Sequence, residues 1–223
     1  MRKKITAIVQ ARIGSSRLRG KVLKKINSKE TIILLLERLS RAKKINDIIV
    51  AIPNTKENDV LFEVLKKHKY KIFRGSEKNV LKRFYETAKM YNSKIIVRIT
   101  SDCPLVDHKI IDSMIKLLID KKKDYVSNAS PPSFPDGLDV EVFNFKSLRK
   151  AYFSTKDKYD LEHVTPFLRK SGKFNTYNYA SKQDFSNFRV TLDEKKDLDL
   201  IRNIYSFYKP KKNFDFEFYE LSI

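Results

Sequence analysis

The constraint that bears hardest on the fold of this 223-residue chain is an alternation. Short apolar runs of strand length at residues 5–9, 47–52, 70–73 and 94–99 trade places with stretches of helical spacing at 31–42, 58–67 and 77–91. In the first helical stretch Ile32, Leu35, Leu36 and Leu39 fall on one face, as an amphipathic helix requires. Strands separated by helices pair in parallel through right-handed crossovers, and such a sheet must be covered on both faces. The chain is therefore expected to be α/β, with three layers. After a helix at 108–121 the rhythm changes. Residues 124–128, 138–145, 174–179 and 188–192 read as strands, and 145–153 and 194–208 as helices, so the sheet should end mixed. No Gly/Ser/Pro linker and no repeat interrupts the chain, and residues 1–223 are expected to form one domain.

Composition removes several classes of function. One cysteine, Cys103, excludes an internal disulfide and a multi-cysteine zinc site, which agrees with a reducing compartment. No apolar run nears the roughly 18 residues of a membrane span, and no signal core follows Met1, so a cytoplasmic protein with no membrane partner is expected. The net charge of +20 raises the question of nucleic acid. Its lysines are spread over nearly every segment, however, and no RRM, KH, helix-turn-helix or zinc pattern is present. A solvated basic surface is the simpler reading.

The chemistry concentrates after the first strand, in QARIGSSRLRGK at residues 10–21. Two of the chain's 5 glycines, Gly14 and Gly20, stand there with Ser15, Ser16, Arg12, Arg17, Arg19 and Lys21. The carboxyl end of a parallel strand is where ligands bind in open α/β sheets. Glycine lets backbone N–H groups converge and the cations neutralise charge, so the loop suits a polyphosphate. It is not a P-loop, because Val22 rather than Ser or Thr follows Lys21.

The fourth strand runs into RITSDCPLVD at 98–107. In the common order three, two, one, four, the first and fourth strands are neighbours, and Ser101 and Asp102 face the basic loop. A carboxylate there suits a Mg2+ ion bridging phosphate oxygens, whereas Asp107 suits a helix cap. Asp193, in RVTLDEKKDL at 189–198, reads equally as a second metal ligand or as a cap. Arg74, in FRGS at 73–76, ends the third strand on the same edge. Asp136, Asp139 and Glu141 in DGLDVEVF, and His163 in EHVTP, are candidates to meet an acceptor.

Taken in order, IVQARIGSSRLRGKVL at 8–23, FRGS, RITSDCPL, DGLDVEVF, EHVTP and TLD at 191–193 resemble the acylneuraminate cytidylyltransferase family, in its spore-coat-polysaccharide cytidylyltransferase-like branch. The likeness spans nearly the whole chain. It implies a Rossmann-like nucleotide-diphospho-sugar transferase fold with a mixed, mainly parallel sheet, CTP as donor, Mg2+ as cofactor and a small anionic acceptor for surface polysaccharide synthesis. It also implies that Arg12 and Lys21 act on phosphate, that Gln10, Ala11, Arg12, Gly14, Ser15, Ser16, Arg17, Lys21, Arg74 and Ser101 bind the nucleotide, and that Asp102 and Asp193 hold the metal. A homodimer is compatible with such an enzyme. The chain departs from the family in two places: Arg19 stands where proline is usual, and Thr191 where sialic-acid members carry an aspartate. The rival readings are a nucleotidyltransferase using another nucleotide, a nucleic-acid-binding protein, and a glycosyltransferase using Asp139 and Glu141 as a loose metal motif.

Overall fold

The computed structural model describes residues 3–208. Strand β1 (Ile5–Gln10) leads through the basic loop, a 3-10 turn at Lys21–Leu23 and a hairpin of β2 (Lys25–Ile26) and β3 (Lys29–Glu30) into helix α1 (Thr31–Leu39). The alternation continues with β4 (Asp47–Pro53), α2 (Asp59–Lys67), β5 (Lys71–Gly75), α3 (Val80–Met90), β6 (Ile95–Thr100) and α4 (His108–Asp120). Then follow β7 (Tyr125–Ser127), β8 (Glu141–Asn144), α5 (Phe145–Ser154), α6 (Lys158–His163), α7 (Pro166–Lys170), β9 (Thr176–Asn178) and α8 (Lys195–Phe207).

Among the described residues seven strands form one sheet, in the order β5-β4-β1-β6-β8-β7-β9. Strands β5, β4, β1 and β6 pair in parallel, and β8 runs antiparallel to both β6 and β7. The expected order three, two, one, four is therefore present, and the sheet is mixed and mainly parallel. Side chains alternate across it as the pleat demands. Ile8, Ala51 and Ile96 pack with Phe84 of α3 on one face. Ala7, Val9, Val50 and Val97 pack with α1 and α4 on the other. Helices thus cover both faces, and β1 and β6 end side by side, with Gln10 opposite Thr100.

One local reading needs correction, and two short features lie below what hydrophobic periodicity can show. Residues 188–192 are not a ladder strand; they contribute a single bridge, between Asp136 and Arg189. The hydrogen bonds of this segment go elsewhere: Val190 N–H donates to Asp136 O at 2.7 Å and Leu192 N–H to Asp102 O at 2.8 Å. The stretch between β1 and α1 also contains the β2–β3 hairpin, which is too short to show an alternating pattern. Helices α6 and α7 went unread because each is barely more than a turn. Asp157 caps the first, accepting from Tyr159 and Asp160 N–H, and Pro166 opens the second, where its missing N–H costs nothing. Among the described residues, no helix is long and apolar enough to cross a membrane.

Candidate active site

The basic loop is tied down at its edges and open at its centre. Ile13 N–H donates to Asn58 Oδ1 at 3.0 Å, Gly20 N–H to Ile13 O at 3.1 Å, and Arg19 pairs with Glu57 at 3.0 Å. Arg19 is thus turned toward Glu57. The amides of residues 14–17 have no partner among the described residues, which leaves them for an anion. Gly20, at φ 66, adopts the left-handed conformation that starts the 3-10 turn carrying Lys21.

Lys21 is only 9% exposed, and its ammonium sits between two carboxylates, 3.3 Å from Asp102 and 2.8 Å from Asp193. The chain brings those carboxylates together through backbone contacts. Leu192 N–H and the Thr191 hydroxyl both donate to the carbonyl of Asp102, the latter at 3.1 Å, so Thr191 stitches the two segments and presents no charge of its own. Asp193 is not the cap of α8. That task falls to Glu194 and Asp197, which form a reciprocal capping box. Asp107 is the cap of α4, accepting from Lys109 N–H at 2.7 Å.

Arg17 and Arg189 also reach Asp193, at 2.8 and 3.0 Å. Burial alone would raise the carboxyl's pKa. The hydrogen bond and charge of Lys21, then Arg189 and Arg17, outweigh it and hold Asp193 below the ordinary carboxylate value.

These groups line a cleft of about 360 Å³ at the carboxyl ends of β1 and β6. Gln10, Ala11, Arg12, Gly14, Ser15, Ser16, Arg17, Lys21, Ser101, Asp102, His163 and Asp193 all border it. Arg83, Arg98, Thr100 and Glu162 border it too; the last three stand inside the RITSDCPL and EHVTP motifs without having been singled out, and Arg83 lies outside every motif. Arg83 is 2% exposed, and burial, followed by the charge of Arg12, pulls its guanidinium down to about 10. Such a group belongs in a cleft that awaits negative charge, and the one signal for it in the sequence was an arginine on the apolar face of α3.

Other candidates lie elsewhere. Arg74 does not border the cleft: its guanidinium pairs with Asp59 at 2.6 Å and lies over the Phe62 ring. Asp136 borders no cavity among those described and instead pairs with Arg189 at 2.6 Å. Asp139, Glu141 and His163 line a second, smaller cavity next to the cleft. Glu141 is held by Arg98 and by the hydroxyl of Tyr125, so the Asp139 and Glu141 pair offers no open metal motif. Cys103 is buried, which pushes its thiol well above the usual range and makes it a core residue.

A Rossmann-like sheet whose central strands end in an anion-ready loop and two converging carboxylates defines a nucleotidyltransferase. The chain belongs to the cytidylyltransferase family, which it matches over residues 6–219, and it is a CTP-dependent nucleotidyltransferase. It is 40% identical over 200 residues to uncharacterized protein MJ1063 of Methanocaldococcus jannaschii, covering 88% of this chain and 81% of that one. It is 30% identical over 210 residues to the spore coat polysaccharide biosynthesis protein SpsF of Bacillus subtilis, covering 90% and 86%. The solved structure of a cytidylyltransferase from Leptospira borgpetersenii serovar Hardjo-bovis superposes with a TM-score of 0.93 at 30% identity, over 99% of this chain and 92% of that one. A CMP:2-keto-3-deoxy-manno-octonic acid synthetase complexed with CTP shares the fold at a TM-score of 0.68 and 15% identity, over 92% and 99%.

Proposed function

We propose that the enzyme transfers CMP from CTP to a small acidic acceptor, an acidic sugar or a phosphorylated compound, for surface polysaccharide synthesis, with residues 1–223 working as one domain. Kinship with SpsF supports the polysaccharide role, and the motifs that resemble the acylneuraminate branch support the acidic acceptor. The observation that carries the reading is the ammonium of Lys21 between Asp102 and Asp193, beside a loop with free amides. Two carboxylates that already share one cation fit a divalent ion, which takes one or two protein carboxylates and fills its shell with water and phosphate oxygens. Among the described residues no group of three or more His, Cys, Asp or Glu could hold an ion alone, which agrees with an ion that arrives with the nucleotide. Bound there, Mg2+ supplies charge to the phosphate oxygens.

An acceptor oxygen attacks the α-phosphorus of CTP. The bond to it forms as the bond to the β-phosphate oxygen breaks, a hydroxyl acceptor gives up its proton to water, and pyrophosphate departs. Negative charge gathers on the leaving group, where Lys21, Arg12, Arg17 and the loop amides stabilise it. Arg83 keeps the cleft positive from below. Pyrophosphate release from CTP, measured across a panel of acidic sugars and small phosphorylated compounds, tests the proposal. Turnover with at least one acid is expected; turnover with neutral sugars alone would contradict it.

A further inference from the structure

The second cavity measures about 170 Å³ and is bordered by Arg98, Thr100, Asp139, Glu141, His163 and Arg169. Arg98, Thr100 and His163 border the nucleotide cleft as well, so the two spaces adjoin. Most of the charge in this smaller space is already spent. Arg98 bonds Glu141 and, at 3.2 Å, Gln10. Glu141 also accepts from the hydroxyls of Tyr125 and Thr165. Two groups remain. Arg169, on α7, has a buried Nε with no hydrogen-bond partner, and no carboxylate of the described residues pairs with its guanidinium. Asp139 receives no side-chain hydrogen bond or ion pair among the described residues.

A guanidinium that borders the cavity with no carboxylate partner among the described residues offers its charge to it, and a carboxylate or phosphate is the partner that matches its planar fork. A space of this size takes one small molecule rather than an oligosaccharide or a peptide. We propose that this cavity seats the acceptor, with Arg169 gripping its acidic group and Asp139 accepting a hydrogen bond from one of its hydroxyls. Arg169 is then the residue that selects acids over neutral sugars. The inference rests on the transfer of CMP proposed above and adds to it the group that reads the acceptor.

Calorimetry on the wild-type enzyme and on Arg169→Gln and Arg169→Lys tests it, with glucuronate and 3-deoxy-manno-octulosonate as carboxylate probes, glycerol 3-phosphate and glucose 1-phosphate as phosphate probes, and glucose as the neutral probe. At least one acid should bind the wild type about 10-fold or more tightly than glucose. Arg169→Gln should lose that advantage, Arg169→Lys should keep part of it, and CTP affinity should hold in all three. Which probe class responds tells carboxylate from phosphate. Acids that bind Arg169→Gln as well as wild type, a wild type that binds no acid, or a loss of CTP affinity in both variants would each overturn the role of Arg169. A wild type that fails to bind CTP would instead overturn the underlying reading. If Arg169→Gln does not fold, the Lys variant decides, since it keeps charge but not the planar fork.

Discussion

Lys21 would be expected, as a loop lysine, to contribute little to folding. It is in fact buried, and its removal leaves Asp102 and Asp193 facing each other. Lys21→Ala should therefore lower turnover by ~10²–10³-fold and also cost about 1–3 kcal/mol of stability, visible as a drop in melting temperature that Mg2+ partly restores. An unchanged melting temperature would contradict the contact. Asp102→Asn and Asp193→Asn should each cut activity by orders of magnitude, with partial rescue at high Mg2+. Because α8 keeps its own capping box, a defect in Asp193→Asn would reflect the site and not a lost cap. Full activity of Asp193→Asn, measured by pyrophosphate release, would remove it from the site. Asp139 behaves in the opposite way to Asp193. Burial, then Asp136, Glu141 and Asp102, push it from 3.8 up to about 6. Between those values the folded state holds more protons than the unfolded, so its contribution makes stability fall as pH rises through the window. Asp139→Asn should accordingly raise the melting temperature relative to wild type above about pH 6, with the gain shrinking as pH falls from there and gone below the ordinary 3.8. A gain that does not vary with pH would contradict the assignment.

Among the elements, those legible in the sequence are those whose hydrophobic period is long enough to count. Strands β1, β4 and β6 are near-continuous Ile and Val runs because both faces are covered, and α1 to α4 alternate with them. The 188–192 segment misled because Phe188, Val190 and Leu192 alternate like a strand, while their backbone is consumed in joining Asp136 to Asp102. That joining rests on Gly137. At φ 108, with an added Cβ falling 2.4 Å from Thr191 N, the position admits no side chain. Gly137→Ala should cost about 1–3 kcal/mol or more, or several degrees of melting temperature at this chain length, and should reduce activity by displacing Asp193. Normal stability and activity, read by calorimetric melting and pyrophosphate release, would show that the close approach is unimportant. The basic loop and Asp102 could be found from chain position and residue type. Arg83 and Arg169 could not, since a lone arginine on a helix carries no motif, and whether it faces a cavity depends on how α3 and α7 pack; Arg98 opens the RITSDCPL motif, but its place between the two cavities follows from β6 and its neighbours.

For the whole molecule, the +20 charge leaves lysines on the surface and gathers arginines at the cleft, where Arg12, Arg17, Arg83 and Arg98 converge with Lys21. A cleft of about 360 Å³ fits a nucleotide rather than a polymer track. The central claim is that CTP binds between the 10–21 loop and the Asp102–Asp193 pair. The most direct measurement is the melting temperature of wild type and Asp102→Asn with each of the four nucleoside triphosphates and Mg2+. At ~100 times its dissociation constant CTP should stabilise the wild type by about 2.7 kcal/mol, a rise of roughly 5–10 °C, with much smaller shifts from the other nucleotides and a blunted response in Asp102→Asn. Equal shifts with all four nucleotides, or a full CTP response in Asp102→Asn, would contradict it.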